Sequence, residues 1–372
     1  MLAVVAAGAM TMGLAMPAFA AGADEGTTKV TQAYISKTYN TEVGKAMKFN
    51  FTATQDTTGT DLVQKPVACT IPSINFADSE TGTTKKVSEA IKFDSFNEAG
   101  KYEYTVKEKT SEPTIADSNL EKLIMSKAEY KMTVYVVEDP VGTFKVDQIV
   151  VNRTKNDKGD GATGKVDISG DKDKNTFNFV NTYVQEAGTG PDPTNPDPTY
   201  TDNGALKVSK TIDAQDGTID TSATFNFTAT FAFPEGTDAT TLGGVKGNGT
   251  DVGLTGGTYN FTLKHGDKMK FTGLPVGTKI TVKETGAANY KGSASVVLDG
   301  ATATSVAAGK YHEDLTAVTN GRLGQKTNTV DVTNTYNHVP TTGIIMNTLP
   351  YVLMIALCGA ALFGFVAFKR RR

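Results

Sequence analysis

Polar and apolar residues alternate with a period of two along most of the chain, the pattern of strands with one buried face. Tyr130-Lys131-Met132-Thr133-Val134 is one such run, and Phe261 to Phe271 is another, with a turn predicted at His265-Gly266-Asp267. One short helix is predicted where Ser118 and Glu121 would form a capping box ahead of Leu123 and Ile124. The alternation stops between Pro191 and Pro198, which hold four prolines in eight residues. Proline lacks the N–H that a sheet ladder needs, so residues 185–203 read as a stiff, extended linker. It divides a first domain, 26–184, from a second, 204–338. The expected fold is all-β: two tandem antiparallel β-sandwiches of the Ig-like or Greek-key kind.

The two domains repeat each other. Ser36-Lys37-Thr38 is followed by Phe49-Asn50-Phe51-Thr52-Ala53-Thr54, and Ser209-Lys210-Thr211 by Phe225-Asn226-Phe227-Thr228-Ala229-Thr230. Thr105-Val106-Lys107-Glu108 matches Thr281-Val282-Lys283-Glu284, and Asn181-Thr182-Tyr183 matches Asn334-Thr335-Tyr336. The landmarks fall in the same order in both halves.

Both ends carry sorting patterns. Residues 1–20 are small and apolar and close on Ala18-Phe19-Ala20, an A-x-A site, so they read as a signal peptide, with a buried N-terminal helix as the alternative. The usual Lys/Arg n-region is missing, which leaves the true start codon open. At the other end, residues 344–368 read as a transmembrane segment whose apolar run, Tyr351 to Phe368, is just long enough for a bilayer. The basic tail 369–372 would stay cytoplasmic. Upstream, Val339-Pro340-Thr341-Thr342-Gly343 resembles the LPxTG sorting signal of Gram-positive surface proteins, with Val for Leu. That resemblance implies cleavage by a sortase between Thr342 and Gly343 and transfer of the Thr342 carbonyl to an amine; an ordinary single-span anchor is the alternative.

Composition narrows the class. The formal charge of −3 argues against nucleic acid, and losing the basic tail makes the mature chain more acidic still. Three His and two Cys show no metal-ligand spacing, so neither metal nor cofactor is expected. Cys358 lies in the apolar run, which leaves Cys69 unpaired, either a reactive thiol or a small buried hydrophobe. A secreted protein without a disulfide needs another source of rigidity.

Alternation supplies a candidate. Side chains two apart share a strand face. Tyr102, Tyr104, Val106 and Glu108 therefore point together, as do Ile280, Val282 and Glu284. Phe177, Phe179, Asn181 and Tyr183 share a face, like Val330, Val332, Asn334 and Tyr336. Ile35 sits with Lys37, and Val208 and Ile212 flank Lys210. Each domain thus turns a Lys, a Glu and an Asn toward its core. A desolvated Lys sheds its proton and becomes a nucleophile, whereas a Glu in apolar surroundings stays protonated. Such an amine can attack the Asn side-chain carbonyl while the Glu polarises it and shuttles protons. Ammonia leaves and a Lys–Asn isopeptide bond remains. The alternative is a core-edge salt bridge whose Lys snorkels to water.

This order of motifs is similar to that of the isopeptide-linked domains of Gram-positive pilins, of the streptococcal major pilin type. The resemblance implies a Lys37–Asn181 bond with Glu108 as catalyst and a Lys210–Asn334 bond with Glu284, each joining first and last strands; Lys45 and Lys48 lie near Lys37. It also implies an acceptor lysine in the last strand of the first domain, where Lys174 is the candidate and Lys172 its neighbour. The expected function is a structural pilin subunit, secreted and covalently attached to the Gram-positive cell wall. Its partners would be a sortase and other pilin subunits or the peptidoglycan cross-bridge, with membrane contact only before sorting. The alternative is a monomeric wall-anchored adhesin. An enzyme with turnover is not expected: no nucleophile elbow appears, and His265, His312 and His338 are scattered.

Overall fold

A computed structural model describes residues 29–336, apart from 112, 116 and 216. The signal peptide, the 339–343 motif with Thr342 and Gly343, the 344–368 segment, the tail, His338 and Cys358 lie outside the described residues. Among the described residues, no helix is long and apolar enough to cross a membrane.

Most strands of residues 36–185 form two facing sheets, and two short pairs, Met47–Phe49 with Ile74–Phe76 and Cys69–Thr70 with Lys92–Phe93, stand beside them. One runs in the order Gly82–Val87, Ser36–Thr41, Asn178–Gln185, Glu121–Ile124. The other runs Gly161–Lys165, Phe144–Lys155, Glu129–Glu138, Gly100–Glu108, Phe51–Asp56. Aromatic side chains fill the space between them: Tyr130 packs on Phe177 and Phe179, and Phe51 on Phe179. Residues 206–336 repeat the plan. A seven-stranded sheet containing Leu206–Asp213, Thr329–Tyr336 and Tyr290–Val297 faces a four-stranded sheet of Thr258–Leu263, Phe225–Ala232, Lys279–Glu284 and Leu315–Arg322. Phe231 and Phe261 of the smaller sheet meet Phe271 of the larger.

The sandwiches are not purely antiparallel. In each half the first strand pairs with the last in parallel, Ser36–Thr41 on Asn178–Gln185 and Leu206–Asp213 on Thr329–Tyr336. A parallel pair needs a long crossover, and the rest of each half supplies it.

Three local expectations change. Leu123 and Ile124 belong to a strand, Glu121–Ile124, and pair with Tyr183 and Thr182. The Ser118 hydroxyl does accept the N–H groups of Leu120 and Glu121, but it caps a turn. The same local hydrogen bond serves a turn or a helix start, and the open edge of the last strand decides between them. The turn at His265-Gly266-Asp267 forms, with Gly266 at φ 84°. The strands on either side of it join opposite sheets, so it is a crossover and no hairpin.

Residues 185–203 are not an extended linker. The last strand of the first half runs through Gln185, and Glu186 bridges to Pro275. Ala187 N–H donates to Leu274 O, Gly188 N–H to Gly324 O and Gly190 N–H to Gln325 O. Gly188 has φ 79°, and a Cβ there would stand 2.4 Å from Gly204 O, so only glycine fits. The prolines themselves pair with nothing in a sheet, and Pro198 opens a short helix, Pro198–Asn203. Backbone groups on both sides of the Pro-rich stretch find partners on the second half, which folds the stretch onto it.

Candidate functional site

Lys37 and Asn181 hang from the parallel first and last strands. Lys37 stands opposite Phe179, so Asn181 is two residues further along and on the same face. Lys210 likewise stands opposite Val332, two residues short of Asn334. The Glu reaches across from the facing sheet, Glu108 opposite Phe51 and Glu284 opposite Phe227. Two halves with different loops thus repeat one register.

The contacts are short. Lys37 Nζ lies 2.9 Å from Glu108 Oε1 and 3.1 Å from Oε2. Asn181 Nδ2 donates to Glu108 Oε1 at 3.0 Å. In the second half Lys210 Nζ lies 2.8 Å from Glu284 Oε1, and Asn334 Nδ2 donates to the same oxygen at 2.6 Å. Each ammonium sits near an aromatic ring, Lys37 at 4.6 Å from the centre of Phe49 and Lys210 at 4.2 Å from that of Phe225. Lys45 contacts Glu121 instead, and Lys48 points to solvent, so of the three nearby lysines Lys37 is the one beside Glu108.

Lys37 is 0% exposed and Lys210 1%, so neither snorkels to water. Burial dominates their protonation. It pulls the Lys37 and Lys210 amines down to about 8, against the opposing pull of Glu108 and Glu284. Burial also pushes both carboxyls above the ordinary range, against the pull of the lysines. Desolvation therefore narrows the gap that holds the proton on the amine within each pair. An amine, a carboxyl and a primary amide share one dry site.

The carboxyl meets the nitrogen of the amide, and the carbonyl oxygen turns elsewhere. Asn181 Oδ1 accepts the backbone N–H of Ser126 at 2.7 Å. Asn334 Oδ1 is buried with no hydrogen-bond partner among the described residues. It lies over Gly292, where a Cβ would come within 3.2 Å of it. Glu108 thus faces the amide nitrogen, and Ser126, not Glu108, meets the carbonyl oxygen. Sequence reasoning missed Ser126 because it acts through a backbone N–H that any residue but proline carries. Gly292 did leave a signal, a glycine inside a strand, which marks close approach.

Among the described residues no group of His, Cys, Asp and Glu could hold a metal ion. Partial burial against the core pushes the Cys69 thiol up to about 12, which suits a small hydrophobe and not a nucleophile. Lys174 is exposed, but it lies in a turn before Asn178–Gln185, not in the strand, and pairs with Asp171. Asp171 accepts the N–H groups of Lys174 and Asn175, and this turn closes before the ladder begins.

Residues 204–336 match the family described as a domain of unknown function (DUF7601). No curated protein matches the chain. Among solved structures it is similar to a major pilin of Streptococcus pyogenes, at 19% identity and a TM-score of 0.33, over 83% of this chain and 100% of that one. A second S. pyogenes major pilin, T3.2, gives 17% identity and a TM-score of 0.30 over 83% and 98%. A pilus-presented adhesin gives 10% identity and a TM-score of 0.27 over 83% and 100%.

Proposed function

We propose that the chain is a surface pilin subunit that cross-links itself, forming Lys37–Asn181 and Lys210–Asn334 isopeptide bonds. The observation that carries this reading is the twofold Lys–Glu–Asn contact, in one register and buried in each half. In each half the neutral Lys amine attacks the Asn Cγ. The Nζ–Cγ bond forms and the Cγ–Nδ2 bond breaks. The Glu carboxyl relays a proton from the amine to the leaving nitrogen, which departs as ammonia, and the Glu is regenerated. Each domain is a single-turnover catalyst on itself and not an enzyme.

The bonds suit a part under tension. First and last strands run parallel, so pulling the two ends of a half shears that pair. A covalent tie between them carries the load before the ladder can slide. This supplies the rigidity that disulfides would otherwise give.

In this reading a sortase cleaves between Thr342 and Gly343 and passes the Thr342 carbonyl to a lysine of the next subunit, or finally to peptidoglycan. Lys174 is the acceptor candidate on exposure alone. The test is a denaturing gel of wall extract from cells carrying the full-length gene. A sortase-dependent ladder of high-mass species that vanishes with Thr342→Ala supports the pilin. A single sortase-dependent band would identify a monomeric anchored protein, such as an adhesin.

A further inference from the structure

The two sites differ on the carbonyl side, and the neighbouring strand is the cause. In the first half the strand beside the Asn strand ends at Ile124, opposite Thr182, one residue before it would pass Asn181. The chain turns away there, which frees the Ser126 N–H to donate to Asn181 Oδ1. In the second half the corresponding neighbour, Tyr290–Val297, runs straight past with Gly292 opposite Asn334. Its backbone groups stay in the ladder, and Asn334 Oδ1 receives none.

Asp157 fixes the turn in the first half. Its Oδ1 accepts the Ser126 hydroxyl at 2.6 Å and the Val180 N–H at 2.8 Å, tying the turn to the residue before Asn181. Its backbone oxygen takes the Lys127 N–H at 2.9 Å. The Ser126 hydroxyl in turn accepts the Ala128 N–H at 3.1 Å.

We propose that the Ser126 N–H is the oxyanion donor for the first bond, that Asp157 is the positioning residue that aims it, and that the second bond forms without such a donor and therefore more slowly. The inference rests on the isopeptide reading above. As Lys37 Nζ adds to Asn181 Cγ, the carbonyl electrons move onto Oδ1, where the N–H already points. They return when the Cγ–Nδ2 bond breaks and ammonia leaves. A single preorganised donor of this kind typically changes a rate by about 10²–10³-fold.

The test follows both bonds in one chain. Residues 21–342 are made by cell-free translation, quenched in acid at intervals and digested, and the two cross-linked peptide pairs are quantified. In the wild type the Lys37–Asn181 bond is expected to lead. Asp157→Ala is expected to slow that bond about tenfold or more and leave Lys210–Asn334 unchanged as an internal clock. Asp157→Asn, whose amide oxygen can still accept both hydrogen bonds, is expected to restore the rate. The two variants lose the same charge, so a difference between them reads position and not electrostatics. A first bond no slower in Asp157→Ala, or equally slow in Asp157→Asn, overturns the proposal while leaving the isopeptide reading intact. Absence of both bonds from the wild type overturns the reading beneath it.

Discussion

Lys37 Nζ and Asn181 Nδ2 meet at one atom, Glu108 Oε1, at 2.9 and 3.0 Å. The two side chains come from neighbouring parallel strands, and the carboxyl from the opposite sheet. The three groups are therefore brought together only when both sheets have closed, so the proposed cross-link would form only in the folded domain.

Removing a cross-link should show in stability. Glu108→Ala leaves the first half without its tie. A cross-link closing a loop of more than a hundred residues contributes about 4–5 kcal/mol by loop-entropy reasoning, carried over from disulfides. For a unit of this size that is about 10–20 °C in melting temperature. Calorimetry of Glu108→Ala should show one lowered transition and one unchanged transition, with trypsin cutting only the first half. Equal melting of variant and wild type would mean that no tie had formed.

The reaction should have a pH optimum. With the amines near 8, lowering the pH protonates them and removes the nucleophile. Raising the pH ionises the carboxyls, whose range burial has moved upward, and removes the acid. Cross-linking rates of freshly translated chain, measured from acid to alkaline pH, should fall on both sides of a maximum. The two arms belong to each Lys–Glu pair and to neither residue alone. A rate that only rises with pH would exclude the carboxylic acid from the mechanism.

Glu186 makes the junction sensitive to pH. It is buried, and its Oε1 accepts from Tyr200 Oη at 3.1 Å and from Gly273 N–H at 2.8 Å, while Oε2 has no hydrogen-bond partner among the described residues. Burial lifts its pKa to about 8, above the unfolded value, so the folded state binds the extra proton. That stability is fully present below the unfolded value and is lost as pH rises through about 8. The slope is at most about 1.4 kcal/mol per pH unit. Denaturant melts at pH 5 and pH 8 should show the loss in the wild type and much less of it in Glu186→Gln. The same loss in the variant would assign the effect to another group.

Gly292 keeps the second site open. A Cβ at 292 would stand 3.1 Å from Leu315 Cβ and 3.2 Å from Asn334 Oδ1, so Gly292→Ala must push the amide or the strand aside. The variant should lose or slow the Lys210–Asn334 bond while the Lys37–Asn181 bond forms normally. Peptide mapping reads both, and an unimpaired second bond would show that the site has slack.

Much of the site was legible because a strand has a period of two. Phe177, Phe179 and Asn181 share a face by spacing alone, and the recurrence at Val330, Val332 and Asn334 ruled out accident. What spacing does not carry is the pairing partner. The parallel registers, the crossover at Gly266 and the strand at Glu121–Ile124 are set by which sheet edge is free, a tertiary fact. The segment around Pro191 to Pro198 read as a spacer because its prolines cannot join a ladder. Its flanks at Ala187 and Gly190 have ordinary N–H groups, and these bind the second half. Ser126 was invisible for a similar reason, since backbone donors leave no mark in composition.

The most direct measurement is the intact mass of recombinant residues 21–342. Each bond expels one ammonia, so the wild type should weigh about 34 Da less than its sequence, with Glu108→Ala or Glu284→Ala recovering about 17 Da each and the double variant the whole. A wild type at its full sequence mass would contradict self-cross-linking and leave the two buried Lys–Glu–Asn clusters as ion pairs.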